Sequence, residues 1–328
     1  MGLLSISVII PNYNGSILLK EILPFLFSAL TRSGLENEII VVDDCSTDSS
    51  INFIKQEFPW ILLLENDVNK GFAPTANKGI FSAKYDHVLL LNSDVKLCED
   101  YFLPLKKYFD KEDTFGVMGR ITGWEDDIIQ DGGKYPAYHG AKLKTSGNFV
   151  PLEKADGELF YSMYLSGANA LMSREKFIEL GGFNEIFAPY YVEDYELSMR
   201  AWRMGYKCYY EHDAVCRHKV STSIKNKNSK NYINTVYYRN KMYLHSMHLG
   251  GGKKLLWYMQ LVPETLIRMI SFRFYYLQSL KLFFQSQHKL KSSIQKFEDA
   301  GKYRKLLSVE EVVIFIKQSF DGKKIRRF

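Results

Sequence analysis

Two pairs of adjacent carboxylates and one aspartate at the end of an apolar run are the residues of this sequence best suited to chemistry. Asp94 closes Leu89-Leu90-Leu91-Asn92-Ser93-Asp94, so a carboxylate stands at the mouth of what reads as a buried strand. Hard divalent cations such as Mg²⁺ and Mn²⁺ take oxygen ligands, and a rigidly placed carboxylate suits a metal that carries phosphates. Asp43-Asp44 follows a second apolar run, Glu38–Val42, and Glu193-Asp194 opens a segment of helical spacing. Plainer roles compete at each place. Asp44, Ser46 and Asp48 favour the N-terminus of a following helix, and Glu193-Asp194 would be favoured at a helix start by the dipole alone. Arg200 can reach a phosphate or pair with Glu196 one turn away; His218 and Asn77 are residue types also common on an ordinary surface.

The elements around these residues explain their placing. Ser5–Ile10 is a β-branched run stopped by Pro11, Asn12, Asn14 and Gly15. Ile17–Leu30 has helical spacing, with Pro24 as a point of kinking or division. Strands are expected at Glu38–Val42, Trp60–Leu64 and His87–Leu91, with helices from Asp48 to about Phe58 and over Gly71–Lys84. Continuous apolar strands alternating with helices imply βαβ units and a parallel sheet covered on both faces. Ligands of such sheets bind at the carboxyl ends of the strands, which is where Pro11-Asn12-Tyr13-Asn14, Asp43-Asp44 and Asn92-Ser93-Asp94 stand. The first turn has no G-x-G-x-x-G, which disfavours a dinucleotide-binding domain. Beyond Asp94 the alternation weakens. Strands are expected at Gly116–Thr122, Leu165–Ser173 and Tyr206–Glu211, helices at Arg174–Leu180 and Glu193–Met204, and a loop-rich stretch over Glu125–Asp156. From Val236 onward the sequence reads as helical.

Composition narrows the class. The 328 residues suit one large domain or two small ones, and 46% hydrophobic with 24% charged residues excludes wholesale disorder. Cys45, Cys98, Cys208 and Cys216 form no C-x-x-C pair, so neither a zinc knuckle nor a disulfide framework is expected and a reducing compartment fits. The run from Met1 to Gly15 lacks a basic region and is no signal peptide. No uncharged window of 18 apolar residues marks a transmembrane helix.

The ordered motifs VIIPNYNG (8–15), VVDDCSTDSS (41–50), NKGFAPTANKGI (69–80), LLLNSDV (89–95), LSGANALMSREKFIELGGFNE (165–185) and YYVEDYELSMRAWRMGY (190–206), with a late His218, resemble the family 2 glycosyltransferases, and within them the bacterial rhamnosyltransferase-like branch. The resemblance covers roughly residues 5–245. It implies a GT-A fold: α/β, with a mostly parallel central sheet flanked by helices, here followed by a helical C-terminal extension. It also implies an inverting transferase that takes a sugar from a UDP- or dTDP-sugar. On these motifs Pro11, Asn12, Tyr13, Asp43, Asp44, Asn77 and Ser93 would bind the nucleotide. Asp94 and His218 would hold Mg²⁺ or Mn²⁺. Ser166, Gly167, Ala168, Tyr190, Tyr191 and Arg200 would line the donor sugar and the acceptor, and Asp194, supported by Glu193, would be the general base. Asn92-Ser93-Asp94 departs from the family's two-aspartate D-x-D pattern, which shifts metal affinity towards the phosphates and another ligand. A nucleotidyltransferase is disfavoured because Asn12–Ser16 has no Arg or Lys for a triphosphate, and a non-catalytic binding protein because Asp94 and Asp194 are both present.

Charge divides the sequence. Residues 1–224 hold 22 Lys and Arg against 31 Asp and Glu, whereas residues 225–328 hold 21 against 6, balances of −9 and +15. A catalytic domain over 1–224 is expected, with a nucleotide-binding half to about 115 and an acceptor half over 116–224, followed by a basic, aromatic-rich helical region over 225–328. Leu255–Phe284 is rich in Leu, Phe, Tyr and Trp but is interrupted by Glu264, Arg268, Arg273 and Lys281, so lying along an anionic membrane surface is expected rather than crossing the bilayer. This places the chain in the cytoplasm, peripheral on the inner face of the cell membrane, where a lipid-linked saccharide acceptor would also lie. The alternative use of those apolar residues is packing on the catalytic domain or a homodimer through the C-terminal helices. Nucleic acid is not expected, because large aliphatic residues occupy the basic region where a phosphate-tracking groove needs a polar face.

Overall fold

A computed structural model of the chain describes residues 5–155, 157–219 and 229–328. Residues 1–4 and the point at 224 where the charge balance was divided lie outside the described residues.

β1 (Ser5–Asn12), β2 (Glu36–Asp43), β3 (Leu62–Glu65) and β4 (His87–Leu91) pair in parallel in the order β4-β1-β2-β3. Ile6, Val8, Ile9 and Ile10 are wholly buried, the continuous apolar pattern of a strand covered on both faces. Crossover helices provide that cover: α1 (Ser16–Ser33), α2 (Ser50–Glu57) and α3 (Phe72–Ser82). α1 runs unbroken through Pro24, where burial of Leu19, Ile22, Leu23 and Leu26 holds the helix despite the missing amide bond. The sheet then turns mixed. β5 (Val95–Leu97) is a short edge piece. β6 (Thr114–Gly123) and β11 (Asn169–Ser173) extend the sheet beyond β4, with β11 antiparallel to both of its neighbours. β12 (Lys207–His218) lies parallel to β6, antiparallel to β5, and beside the two-residue β10 (Phe160–Tyr161).

The stretch expected to be loop-rich is instead largely strand: β7 (Ile129–Asp131), β8 (Gly133–His139) and β9 (Lys142–Pro151). β8 and β9 form a hairpin, and their small sheet is completed by β13 (Ile325–Arg327), which reaches β9 from the far end of the chain. A pairing partner so distant in sequence leaves little local period to read. α4 (Arg174–Glu179) and α5 (Glu193–Arg203) lie between β11 and β12 in the chain.

The C-terminal region is formed by α6 (Lys230–His248), α7 (Gly251–Ile270), α8 (Tyr275–Gln285), α9 (Gln287–Ala300) and α10 (Val309–Gln318). Trp257, Tyr276, Phe283, Leu290, Val312 and Ile316 share one buried cluster with Val42, Ile80, Phe160 and Trp202. Burying each such large side chain contributes roughly 1.5–3 kcal/mol, so this packing holds the tail against the sheet. α7 is inverted on its outer side. Leu255, Leu256, Met259, Val262, Leu266, Ile267 and Ile270 are exposed, followed by Phe272 and Phe274. Among the described residues no helix is long and apolar enough to cross a membrane.

Candidate active site

The carboxyl ends of β1, β2 and β4 bring three polar turns together. Asn12 is buried at the end of β1 and donates through Nδ2 to Asp43 Oδ2 at 2.9 Å; the other oxygen of Asp43 accepts from Ser46 N at 2.7 Å. Of the roughly four acceptor sites on a carboxylate, Asp43 therefore uses two. Asp44 is more committed, since it accepts from Asn66 Nδ2, Lys70 N and Gly71 N at 2.8–2.9 Å. Asp44 therefore clamps the 66–71 loop onto the strand ends. Gly71 sits at φ +88°, and a Cβ there would lie 2.7 Å from the Pro189 backbone, so only glycine lets this loop approach the 188–192 loop. Pro11 is half-buried, while Tyr13 is 38% exposed.

Asp94 Oδ1 is buried with no hydrogen-bond partner among the described residues, and Oδ2 lies 3.6 Å from His218 Nε2. His218 Nδ1 contacts Gln130 Oε1 at 3.0 Å, and because an amide oxygen only accepts, Nδ1 carries the proton. In the neutral imidazole this leaves the Nε2 lone pair on the side of Asp94, the tautomer that a metal-binding imidazole needs. An orphaned carboxylate oxygen and an imidazole lone pair together suit a divalent cation. Among the described residues no group of three or more His, Cys, Asp or Glu side chains is placed to hold a metal, so this pair would leave most of a coordination shell to phosphate oxygens and water.

The second carboxylate station is joined to the first. Asn92 N donates to Ala168 O at 3.1 Å, and Gly167 N donates to Asp194 Oδ2 at 3.3 Å. Ser166-Gly167-Ala168 is thus a short bridge from the Asp94 turn to the start of α5. Tyr195 N also donates to Asp194 Oδ1, at 2.7 Å. Asp194 is half-buried and open to the crevice, whereas Glu193 is 7% exposed and its Oε2 has no partner. Burial, and then the neighbouring Asp194, push the Glu193 carboxyl well above its usual range. Burial also raises Asp194, opposed by the amides of Tyr195 and Gly167 and by Lys134.

This arrangement has recognisable relatives. The family model described as "Glycosyl transferase family 2" matches residues 7–181. The chain belongs to glycosyl transferase family 2. It is 34% identical over 102 residues to an uncharacterized glycosyltransferase of Haemophilus influenzae, covering 31% of each chain. It is 31% identical over 125 residues to the poly(ribitol-phosphate) beta-glucosyltransferase of Bacillus spizizenii, covering 37% of this chain and 19% of that one. The chain thus spans under a third of either relative's length. Its fold resembles that of GalNAc-T7 crystallised with UDP, GalNAc and Mn²⁺, with a TM-score of 0.65 and 16% identity over 98% of this chain and 58% of that one. The GT-A type fold expected from the motifs is the fold observed.

Two residues of this family 2 glycosyltransferase expected at the ligand are engaged elsewhere. Asn77 accepts from Phe183 N at 2.8 Å and donates to Phe183 O and Glu185 Oε1, so its amide fastens the Gly182-Phe183 turn to α3. Arg200 is buried, pairs with Glu196, and donates to the carbonyls of Leu180 and Gly182. Against burial, which raises it, Arg200 and His248 hold the Glu196 carboxyl down at about 2. Both amide hydrogens of Asn77 are used, and Arg200 is buried with four of its five N–H groups engaged, so the structure gives both residues a structural role in place of the expected ligand contact.

Other residues work on the site unannounced by any motif. Tyr191 and Val192 both sit in the left-handed region, at φ 76° and 75°, immediately before Glu193. Side chains at such angles persist only where their surroundings over-determine them. Here α6 does so: wholly buried Asn240 donates to the carbonyls of Phe187, Tyr190 and Tyr191 at 2.7–3.0 Å, and Arg239 donates to Ala188 O at 2.6 Å. Tyr190 and Tyr191 flank this turn with their rings 4.9 Å apart. A polar Arg-Asn pair inside an aromatic helix was the only signal of this clamp that the sequence carried.

Proposed function

We propose that this enzyme is an inverting glycosyltransferase of bacterial cell-surface polysaccharide synthesis, moving a hexosyl or rhamnosyl group from a UDP- or dTDP-sugar to a saccharide or lipid-linked saccharide. The observation that carries the reading is the bridge from the Asp94 turn through Ala168 and Gly167 to Asp194, which ties a cation-suited carboxylate and a proton-accepting one to the same short segment. Asp94 and His218 would hold Mg²⁺ or Mn²⁺. When bound, such an ion neutralises charge developing on the leaving diphosphate. Pro11, Asn12, Tyr13 and Asp43 form the base pocket, with Asp44 as its loop clamp and Ser93 at the phosphate side. Asp194 takes the proton of the acceptor hydroxyl as its oxygen bonds to C1 of the sugar. The C1–O bond to the diphosphate breaks on the opposite face and the anomeric configuration inverts. Burial that lifts Asp194 towards neutral pH improves a general base, provided it is still ionised at the working pH. Glu193, buried behind it, favours its neutral form and leaves the negative charge on Asp194.

Residues 1–115 would supply the nucleotide chemistry, residues 116–224 the acceptor half, and the basic helical region over 225–328 the location. The exposed apolar row of α7, with Lys254, Arg273 and Lys281 near it, matches an anionic bilayer surface, where rings and aliphatic groups enter the interface and basic groups meet lipid phosphates.

Thermal unfolding tests the donor site. UDP or dTDP with Mn²⁺ or Mg²⁺ should raise the melting temperature, and excess chelator or Asp94→Ala should remove most of the shift. A full shift in chelator would refute the metal role.

A further inference from the structure

A cavity of 230 Å³ lies next to the candidate base, between the β8–β9 hairpin and helices α6, α7 and α8. Its wall carries four cations, Lys142 and Lys144 from β9, Lys241 from α6 and Arg268 from α7, against one carboxylate, Glu264. That carboxylate is spent: it pairs with Lys142 and accepts from Tyr276 Oη at 3.1 Å and from Gln260 Nε2 at 3.2 Å. The other three cations have no ion pair among the described residues. Lys241 Nζ lies over the rings of Tyr195 and Tyr237, 4.8 and 5.9 Å from their centroids. The Arg268 guanidinium lies 4.2 and 4.6 Å from those of Tyr238 and Tyr276. Ring faces soften the cost of a buried cation but do not neutralise it.

Side-chain contacts link the cavity wall to the segment that carries Asp194. Tyr195, beneath Lys241, follows Asp194 in sequence, and Tyr237 on the cavity wall meets Tyr191 with rings 6.1 Å apart. Three cations without an ion pair among the described residues, on three separate elements and with only the more distant charge of Asp194 acting on Lys241, suit a group with oxygens pointing in several directions. A phosphate has that geometry; a planar carboxylate would be met by one guanidinium fork and leave the others unpaired.

We infer that this cavity binds a phosphate ester of the acceptor, lying beside the hydroxyl that Asp194 deprotonates, with Lys241 and Arg268 as its main partners and Lys144 at the rim. This rests on the transferase reading above and deepens it, because it makes the acceptor anionic. The phosphate can belong to a lipid-linked diphosphate or to a soluble or polymeric phosphodiester.

Calorimetric titration of the full chain, with UDP and Mn²⁺ saturating the nucleotide site, tests the assignment. The probes are decyl diphosphate-linked N-acetylglucosamine, N-acetylglucosamine 1-(methyl phosphate), decyl N-acetylglucosaminide and decyl glucuronide. Both phosphorylated probes should bind at least tenfold more tightly than the uncharged glycoside. Preference for the decyl diphosphate assigns the lipid-linked source, and equal binding of the two assigns the soluble or polymeric one. The double variant Lys241→Gln, Arg268→Gln should lose the tenfold preference while keeping the melting shift given by UDP and Mn²⁺. Lys144→Gln, an exposed change, should lose about threefold. Equal affinity for phosphorylated and uncharged probes, or a glucuronide as tight as the diphosphate, overturns the inference. Absence of a melting shift with both UDP and dTDP, each with Mn²⁺ or Mg²⁺, in the unaltered chain would instead sink the transferase reading, so the two failures are read separately.

Discussion

The two carboxylate stations are held in different ways. Asp94 belongs to a tight turn at the end of β4, with its hydrogen-bonding surroundings supplied by the turn, by Ala168 and by the end of β12. Glu193-Asp194 begins a helix whose entry is strained, and the strain is contained by Asn240 and Arg239 from a helix beyond the catalytic motifs. The first station is a product of regular sheet geometry, and the second a product of tertiary packing. Damage to the tail should therefore reach the chemistry without touching donor binding.

The largest separation of the two stations should come from Asp194→Asn. Turnover should fall by about 10²–10⁴-fold, the contribution of a positioned base, while the nucleotide and metal melting shift is kept. Near-normal turnover in Asp194→Asn with inactive Glu193→Gln would reverse the assignment within the pair.

Acid should strike the tail side next. Burial lowers His245 to about 3 and His248 to about 4. Their folded values lie below the unfolded one, near 6.5, so the unfolded chain takes up protons first. Stability is then complete above about pH 6.5 and falls as the pH drops towards 4. Between pH 7.5 and 5 the loss should be about 4 kcal/mol for the two together. Urea unfolding at pH 7.5, 6 and 5 measures it; a flat stability profile, or an unchanged slope in His245→Gln, would contradict it.

This contrast also accounts for what was legible in the sequence. The donor side was readable because a parallel strand announces itself by a continuous apolar run and stops at its polar end, so Asp43, Asp44 and Asp94 could be placed on strand ends without a partner being known. β4 was expected over the residues that form it. The acceptor side depends on pairings far apart in sequence. β8 and β9 carry a weak alternation and meet β13 from the chain terminus, and Asn240 closes on a loop about fifty residues earlier. Asn77 and Arg200 show the converse. Their motif positions were clear, yet their polar ends are taken by the backbone of a neighbouring turn, which only the folded geometry reveals.

Asn240→Ala tests that long-range support. It leaves three carbonyls of the strained turn without their donor, a loss of about 2 kcal/mol for a buried polar cluster of this kind. Turnover should drop roughly tenfold as Asp194 loses its fixed position, since a group slightly misplaced from its productive geometry costs that much or more. The UDP–Mn²⁺ shift should persist. Loss of that shift would mean the two stations are one cooperative unit.

The smallest effect concerns the outer face of α7. Ile270 is 78% exposed and Ile267 63%, in a row that continues to Phe272 at 82%. A single aliphatic side chain entering the membrane interface contributes on the order of 1 kcal/mol, equivalent to about fivefold in partitioning. Ile270→Ser should therefore reduce binding to vesicles containing phosphatidylglycerol by about fivefold, with melting temperature and donor binding unchanged because the residue supports no core contact. Raised salt should weaken binding of both forms, since the basic groups near the row act through a screened field. Indifference of the unaltered chain to vesicles of either charge would leave the apolar row to a second copy of the chain. A concentration-dependent dimer, disrupted by the same substitution, would then take the place of the membrane.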